Sequence, residues 1–200
     1  MRIEGLRFAY PGEPALIDGW SATLAPGVTQ VYGDTGSGKT TLLRLLAGEL
    51  EADGGRLELA GVVLSQAPER YRSQVFYVDP STTSFHEMTG HACLAALGAD
   101  PQATEALVQG FGLGPHVEKP LYMLSTGSRR KVWLAAALTT RRPLVLLDDP
   151  AGALDGPSTR CLWAAVADIA RQRDRMLVIA GSEPLQAAPL GAVVRLPLRG

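Results

Sequence analysis

Two short stretches carry residues whose types and spacing could do chemistry together. Gly33-Asp34-Thr35-Gly36-Ser37-Gly38-Lys39-Thr40 gathers three glycines, a lysine and several hydroxyls. Far along the chain, VLLDDP at 145–150 runs from an apolar segment into two adjacent aspartates, Asp148 and Asp149. The glycines allow a ligand to approach the backbone closely. The N–H groups of such a loop, and the N-terminus of a following helix, then supply positive potential. Lys39 adds a full charge and Thr40 a hydroxyl, which together suit a chain of phosphates. Two like charges at the end of a greasy segment are costly unless something positive binds there, and a phosphate-bound Mg²⁺ is such a partner.

The elements around these residues are the ones that could position them. The glycine run fits G-x-x-x-x-G-K-[ST], the phosphate-binding P-loop, a pattern with meaning only between a strand and a helix. Val28 to Tyr32 reads as that strand, and Leu42, Leu43, Leu45 and Leu46 recur at helical spacing until Gly48. The nucleotide-binding set is therefore Gly33, Asp34, Thr35, Gly36, Ser37, Gly38, Lys39, Thr40 and Thr41, with a nucleoside polyphosphate and Mg²⁺ as ligands. Such a site needs a second acidic group at the end of a neighbouring apolar strand to hold the magnesium shell. LVLLD places Asp148 there, at the Walker B position, so Thr40 and Asp148 are the expected metal contacts.

Elsewhere the pattern alternates. Arg2–Ala9 and Ala15–Leu24 read as strands on either side of a Pro-Gly turn, 56–64 is strand-rich, and QVFYV at 74–78 reads as a buried strand. From residue 80 to 123 alanine-rich helical stretches are broken by Gly98, Pro101, Gly112, Gly114 and Pro115, which reads as a small helical insertion. A helix (Ser128–Thr139), a strand (Leu144–Leu147), a helix (Ser158–Ala170), a strand (Met176–Ala180) and a last strand (Ala192–Leu198) follow. This order predicts an α/β fold: a P-loop core with a parallel sheet, an N-terminal antiparallel β subdomain and an inserted helical subdomain over about 80–123, all within one domain spanning 1–200.

Composition narrows the function classes. With 200 residues, 46% of them hydrophobic, the chain can bury one sizeable core. A net charge of −1 gives no long-range field toward nucleic acid or a membrane surface. The clusters Arg129-Arg130-Lys131 and Arg171/Arg173/Arg175 read as solvated helix ends. Cys93 and Cys161 are too few and too scattered for a disulfide framework or a zinc site, and both are expected to pack as small buried groups. MRIEGLRFAYPG lacks the apolar core of a signal peptide, and no apolar run approaches the ~20 residues of a membrane-spanning helix. Any membrane role comes through a partner, and a reduced interior is the expected compartment.

Leu124-Ser125-Thr126-Gly127-Ser128 opens a helix shortly before the Walker B strand, and with that the chain resembles the ATP-binding cassette (ABC) family, whose signature is a Leu-Ser-Gly-Gly-Gln-like run at this place. The resemblance spans nearly the full length. It implies that Ser125, Thr126, Gly127 and Ser128 face the γ-phosphate held by an opposing subunit, although LSTGS departs from the pattern at Thr126 and Ser128. It likewise implies that Tyr10 stacks on adenine, that Ala153-Leu154-Asp155 is the D-loop, and that the helical stretch docks on a membrane-spanning transporter subunit. The expected assembly is a homodimer or heterodimer closing on ATP, with no direct contact to nucleic acid. The short chain is similar to small single-domain cassettes such as the haem-exporter ATPase of cytochrome c maturation.

Three positions depart from the family's catalytic set. Where the family has a glutamate as base, this chain has Asp149; where it has a glutamine contacting Mg²⁺ and water, Asp79; where it has a histidine touching the γ-phosphate, Ser182. His86, His91 and His116 read as surface or packing residues. Asp149 is one methylene short, a withdrawal of roughly 1 Å, and misplacement of that order can cost ~10²-fold in rate. Slow ATP hydrolysis is expected. The alternatives are a degenerate cassette acting as a nucleotide-sensing switch, and a small-molecule P-loop kinase, which leaves the signature and D-loop unexplained.

Overall fold

The structure, a computed structural model, describes residues 1–78, 82, 84–185 and 188–199. In chain order the elements are β1 (Arg2–Phe8), β2 (Ile17–Thr23), β3 (Gly27–Tyr32), α1 (Lys39–Ala47), β4 (Gly54–Leu59), β5 (Val62–Val63), α2 (Pro68–Arg72), β6 (Val75–Phe76), α3 (Gly90–Ala96), α4 (Pro101–Gly110), α5 (Thr126–Thr139), β7 (Leu144–Asp148), α6 (Gly156–Gln172), β8 (Met176–Gly181), β9 (Ala192–Arg195) and β10 (Leu198–Arg199). They fall into two compact units. One holds Met1–Phe76, Arg142–Pro150 and Ile169–Gly200, the other Tyr77–Arg141 and Ala151–Asp168.

The first unit contains a parallel sheet of order β6-β7-β8-β3-β9 and a second sheet of order β10-β2-β1-β4-β5. The central strands β3, β7 and β8 are buried along almost their whole length. Near-continuous apolar runs such as LVLL and MLVIA belong in a sheet covered on both faces. Tyr32 pairs with Gly181, and Asp148 with Ala180, so the C-terminal ends of three adjacent strands finish at one level. In open parallel sheets ligands bind at that edge.

Helix α1 leaves this edge and packs on β7 and β8. Leu42, Leu43, Leu45 and Leu46 are wholly buried, each contributing roughly 2 kcal/mol of apolar burial. Gly48 ends the helix in the left-handed region (φ 72°), with its N–H turned back onto the last turn.

In the second unit α3 and α4 pack on α5. Asp100 caps α4 and pairs with Arg141 at 2.7 Å, while the Thr104 and Thr139 hydroxyls share a buried hydrogen bond at 3.1 Å. The unit thus continues past residue 123, through α5 and most of α6.

Two expected strands are corrected. The strand expected over 74–78 is only Val75–Phe76, paired with Leu144 and Val145. The last strand, expected over Ala192–Leu198, divides into β9 and β10, which join different sheets. Pro197 has no N–H for a ladder, so pairing stops there, and the chain resumes beside Ile17 and Asp18 of β2. Helix α5 begins at Thr126, two residues before its expected start, because Ser125 caps it.

Candidate nucleotide site

The loop between β3 and α1 is shaped by close approaches that only glycine allows. A Cβ on Gly33 would lie 2.6 Å from Ser37 Oγ. Gly38, at φ 95°, caps α1, and a Cβ there would lie 2.7 Å from Leu16 Cδ2. Lys39 bends over the loop, its Nζ donating to Gly33 O at 2.7 Å and Asp34 O at 2.6 Å. Ser37 Oγ is buried and has no hydrogen-bond partner among the described residues. A buried hydroxyl in that state is costly, and a phosphate oxygen in the loop would satisfy it. The cradle therefore fits a nucleoside polyphosphate by both its shape and its donors.

Across the sheet edge, Thr40 Oγ1 donates to Asp148 Oδ2 at 2.5 Å. Among the described residues no three His, Cys, Asp or Glu side chains are grouped as a metal cage. One hydroxyl and one carboxylate are instead the sparse, hard-oxygen set that suits Mg²⁺, which keeps several waters and takes further ligands from phosphates. Asp149 follows at φ 42°, its N–H donating to Ala180 O at 3.0 Å. A non-glycine residue in the left-handed region is uncommon, and Asp is among the few that tolerate it. Thr35, Gly36, Gly38, Lys39, Thr40, Thr41, Asp149, Gly181 and Ser182 border one open cleft of about 340 Å³. A larger hollow of about 520 Å³ opens at the other end of α1, between Leu6, Leu50, Leu57 and Leu64, but it includes no residue of the cradle and neither aspartate. Chemistry, not volume, marks the site.

Tyr10 stands beside the cradle. The residue is 44% exposed; its ring packs edge-on against Phe8 with centroids 4.9 Å apart, and its hydroxyl lies 2.9 Å from Thr41 Oγ1. Asp79, also expected at the metal, lies outside the described residues.

The second unit carries Ser125, Thr126, Gly127 and Ser128. Ser125 caps α5 by accepting from Ser128 N at 3.1 Å and donates to Ser128 Oγ at 3.0 Å. A Cβ on Gly127 would lie 3.2 Å from Ala153 O, so the helix start packs tightly on the D-loop-like segment. Lys131 is only 15% exposed in its side chain and pairs with Asp155 at 2.6 Å; it is not the solvated helix end the sequence suggested. Asp155 also accepts from Ser158 N at 2.8 Å. The Lys131 hydrogen bond, then the Ser158 N–H, hold its carboxyl well below the usual range. Asp155 as a helix cap was legible from Asp-Gly-Pro-Ser. The lysine partner, 24 residues earlier, had no local signal. Arg175 is likewise half-buried, and burial lowers its pKa.

The three histidines all lie in the second unit, His91 beside Glu118 at 3.2 Å and His116 beside Lys119 at 3.4 Å. Both cysteines are free; Cys93 is buried and its thiol pushed up to about 12 by desolvation, while Cys161 is only half-buried. No helix among the described residues is long and apolar enough to cross a membrane.

The family described as "ABC transporter" matches residues 17–152. The chain is 34% identical over 192 residues to the cytochrome c biogenesis ATP-binding export protein CcmA 2 of Cupriavidus metallidurans, covering 92% of this chain and 90% of that one. It is 37% identical over 169 residues to the corresponding CcmA protein of Nitrosococcus oceani, covering 81% and 76%. Among solved structures, a dimeric ATP-binding cassette in a post-hydrolysis state, bound to ADP and Pi, superposes with a TM-score of 0.77 at 15% identity over 98% of this chain and 93% of that one.

Proposed function

The chain belongs to the ATP-binding cassette family as an ATP-binding subunit of an ABC transporter, and on that premise we propose which of its residues carry the ATPase cycle. What supports the assignment is the convergence of cradle, Thr40–Asp148 pair, Asp149 and Ser182 on one sheet edge. The backbone of Gly33 to Thr41 receives the phosphates, and Lys39 exchanges its two loop carbonyls for phosphate oxygens. Tyr10 stacks on the base. Thr40 and Asp148 would hold Mg²⁺, which when bound would offset charge on the phosphates. Asp149 polarises the attacking water and Ser182 donates to the γ-phosphate. A carboxylate one methylene short and a neutral hydroxyl make this chemistry slow.

Ser125, Thr126, Gly127 and Ser128 complete the site of a second subunit in a head-to-tail dimer, the positive end of α5 facing that subunit's γ-phosphate. The helical stretch 80–123 engages a membrane-spanning partner on the cytoplasmic face. The near full-length match to cytochrome c biogenesis export proteins favours an export complex of that kind. The sensing-switch alternative is not favoured, since the matched relatives are named as transport subunits. Steady-state ATP turnover of the purified chain, alone and with its membrane partner, tests the whole. Turnover that rises with the partner and vanishes in Lys39→Ala is expected; no nucleotide binding by the intact chain would overturn it.

A further inference from the structure

Tyr10 and Thr41 are 31 residues apart, yet their hydroxyls meet at 2.9 Å. The two ends of that bond differ in kind. Thr41 is 7% exposed and sits in the first turn of α1, directly after Thr40. Tyr10 is 44% exposed and lies just beyond the end of β1, where no ladder holds it. The turn fixes the backbone there, Glu13 N–H donating to Tyr10 O at 2.9 Å, but a half-exposed tyrosine side chain would ordinarily still sample several rotamers. Here the ring is held at two points: an edge against Phe8, at an interplanar angle of 85°, and the hydroxyl at Thr41. Phe8 is itself buried and fixed.

We infer that Thr41 is a positioning residue for Tyr10: its hydroxyl tethers the aromatic ring to the phosphate-binding helix, so that the base platform and the cradle form one pre-set unit. The inference rests on the reading that Tyr10 stacks on the base. Its physical content is entropic. A side chain immobilised only when the ligand arrives subtracts from affinity, whereas one already held does not. Tripolyphosphate engages the cradle but has no base to stack, so the ratio of its Kd to that of ATP isolates what the platform contributes.

The experiment measures both Kd values by calorimetry with Mg²⁺ on the full chain and on Tyr10→Phe, Thr41→Val, Thr41→Ser, Tyr10→Ala and the Tyr10→Phe/Thr41→Val double variant. Thermal unfolding confirms that each is folded. The ratio should fall about three- to tenfold in Tyr10→Phe and in Thr41→Val, fall no further in the double variant, and be kept by Thr41→Ser. Any direct effect of Thr41 on phosphate cancels in the ratio, and Tyr10→Phe reports on the tether even if Thr41→Val fails to fold. A ratio that falls in Tyr10→Ala but not in Tyr10→Phe overturns the tether and leaves the stacking. Losses that multiply in the double variant also overturn it, because the hydroxyls then act separately. A ratio unchanged in Tyr10→Ala overturns the stacking itself.

Discussion

Thr40 and Asp148, 108 residues apart, join the first turn of α1 to the end of β7 through one hydrogen bond of 2.5 Å. One hydroxyl and one carboxylate are a sparse set, and if the pair holds Mg²⁺ as proposed, phosphate oxygens and water would complete its shell. Asp148→Asn keeps the hydrogen-bond geometry but removes the charge. It should bind ATP with little change in the absence of metal and need roughly 10- to 100-fold more Mg²⁺ for half-maximal turnover. A Mg²⁺ titration of phosphate release measures this, and an unshifted midpoint would count against Asp148 as a metal contact.

The glycines of the cradle are not equivalent. Gly36 and Gly38 both have positive φ, 79° and 95°, but a Cβ on Gly36 meets nothing within 4 Å whereas one on Gly38 meets Leu16. Gly36→Ala should therefore carry only the backbone strain, about 1 kcal/mol. Gly38→Ala should cost more, about 2–3 kcal/mol, by adding a clash that Leu16 must relieve. Urea unfolding of the two variants gives the difference; equal midpoints would show that Leu16 yields freely.

Much of this site was legible in the chain because its signals are local. Glycine spacing, a strand that runs into it, a leucine-spaced helix and an apolar run ending in aspartate each occupy fewer than a dozen residues, and each has a physical meaning alone. What escaped depends on partners distant in sequence. Lys131 looked like one charge in a basic run, and only folding brings it to Asp155. The division of the last strand follows from Pro197, which is visible, but its consequence, a second half pairing with Ile17 and Asp18, is not. The apolar, β-prone Tyr77 and Val78 extend the expected strand to 74–78, but pairing with β7 ends at Phe76.

The second unit should show an acid limb set by two carboxyls. The Arg141 hydrogen bond, then the Ala103 N–H, hold Asp100 below its usual range, and Lys131 does so more strongly for Asp155. A folded pKa below the unfolded value of about 3.9 means stability that is present above that value and lost as pH falls through the folded one. Thermal midpoints should therefore be insensitive to these groups between about pH 7 and 5 and fall below about pH 4. Asp155→Asn and Asp100→Asn should each flatten that fall. Scans at three pH values decide, and an unchanged acid limb in both variants would remove these pairs as its source.

The proposed dimer closure makes Ser125 a donor to the opposing subunit's nucleotide. Its hydroxyl is engaged with Ser128 inside its own helix start, and a γ-phosphate from an opposing subunit would accept that hydrogen bond instead. ATP with Mg²⁺ should thus produce dimers that the nucleotide-free chain does not form. Ser125→Arg should block them by bulk while leaving ATP binding to the monomer largely intact, since Ser125 is not among the residues that line the cleft. Light scattering reads the mass directly. Dimers of equal abundance without nucleotide, surviving Ser125→Arg, would exclude the head-to-tail arrangement.

Asp149 sits at φ 42°, exposed at the cleft, with its N–H fixed to Ala180 O. The backbone is thus held while the carboxylate is one methylene shorter than the family's base. If reach is what limits hydrolysis, Asp149→Glu should raise single-turnover phosphate release, by as much as ~10²-fold where the water lies about 1 Å beyond the present carboxylate. Ser182→His should add to that gain when the membrane partner is present. Asp149→Asn should retain ATP and suppress release, because the amide fills the same space and cannot take up a proton. The opposing account is that the cleft is fitted to aspartate. A longer side chain on a fixed, left-handed backbone would then crowd the γ-phosphate, and Asp149→Glu would be slower than the parent. Rapid-quench measurement of the two variants at saturating ATP separates these accounts, since they differ in the sign of the change for glutamate.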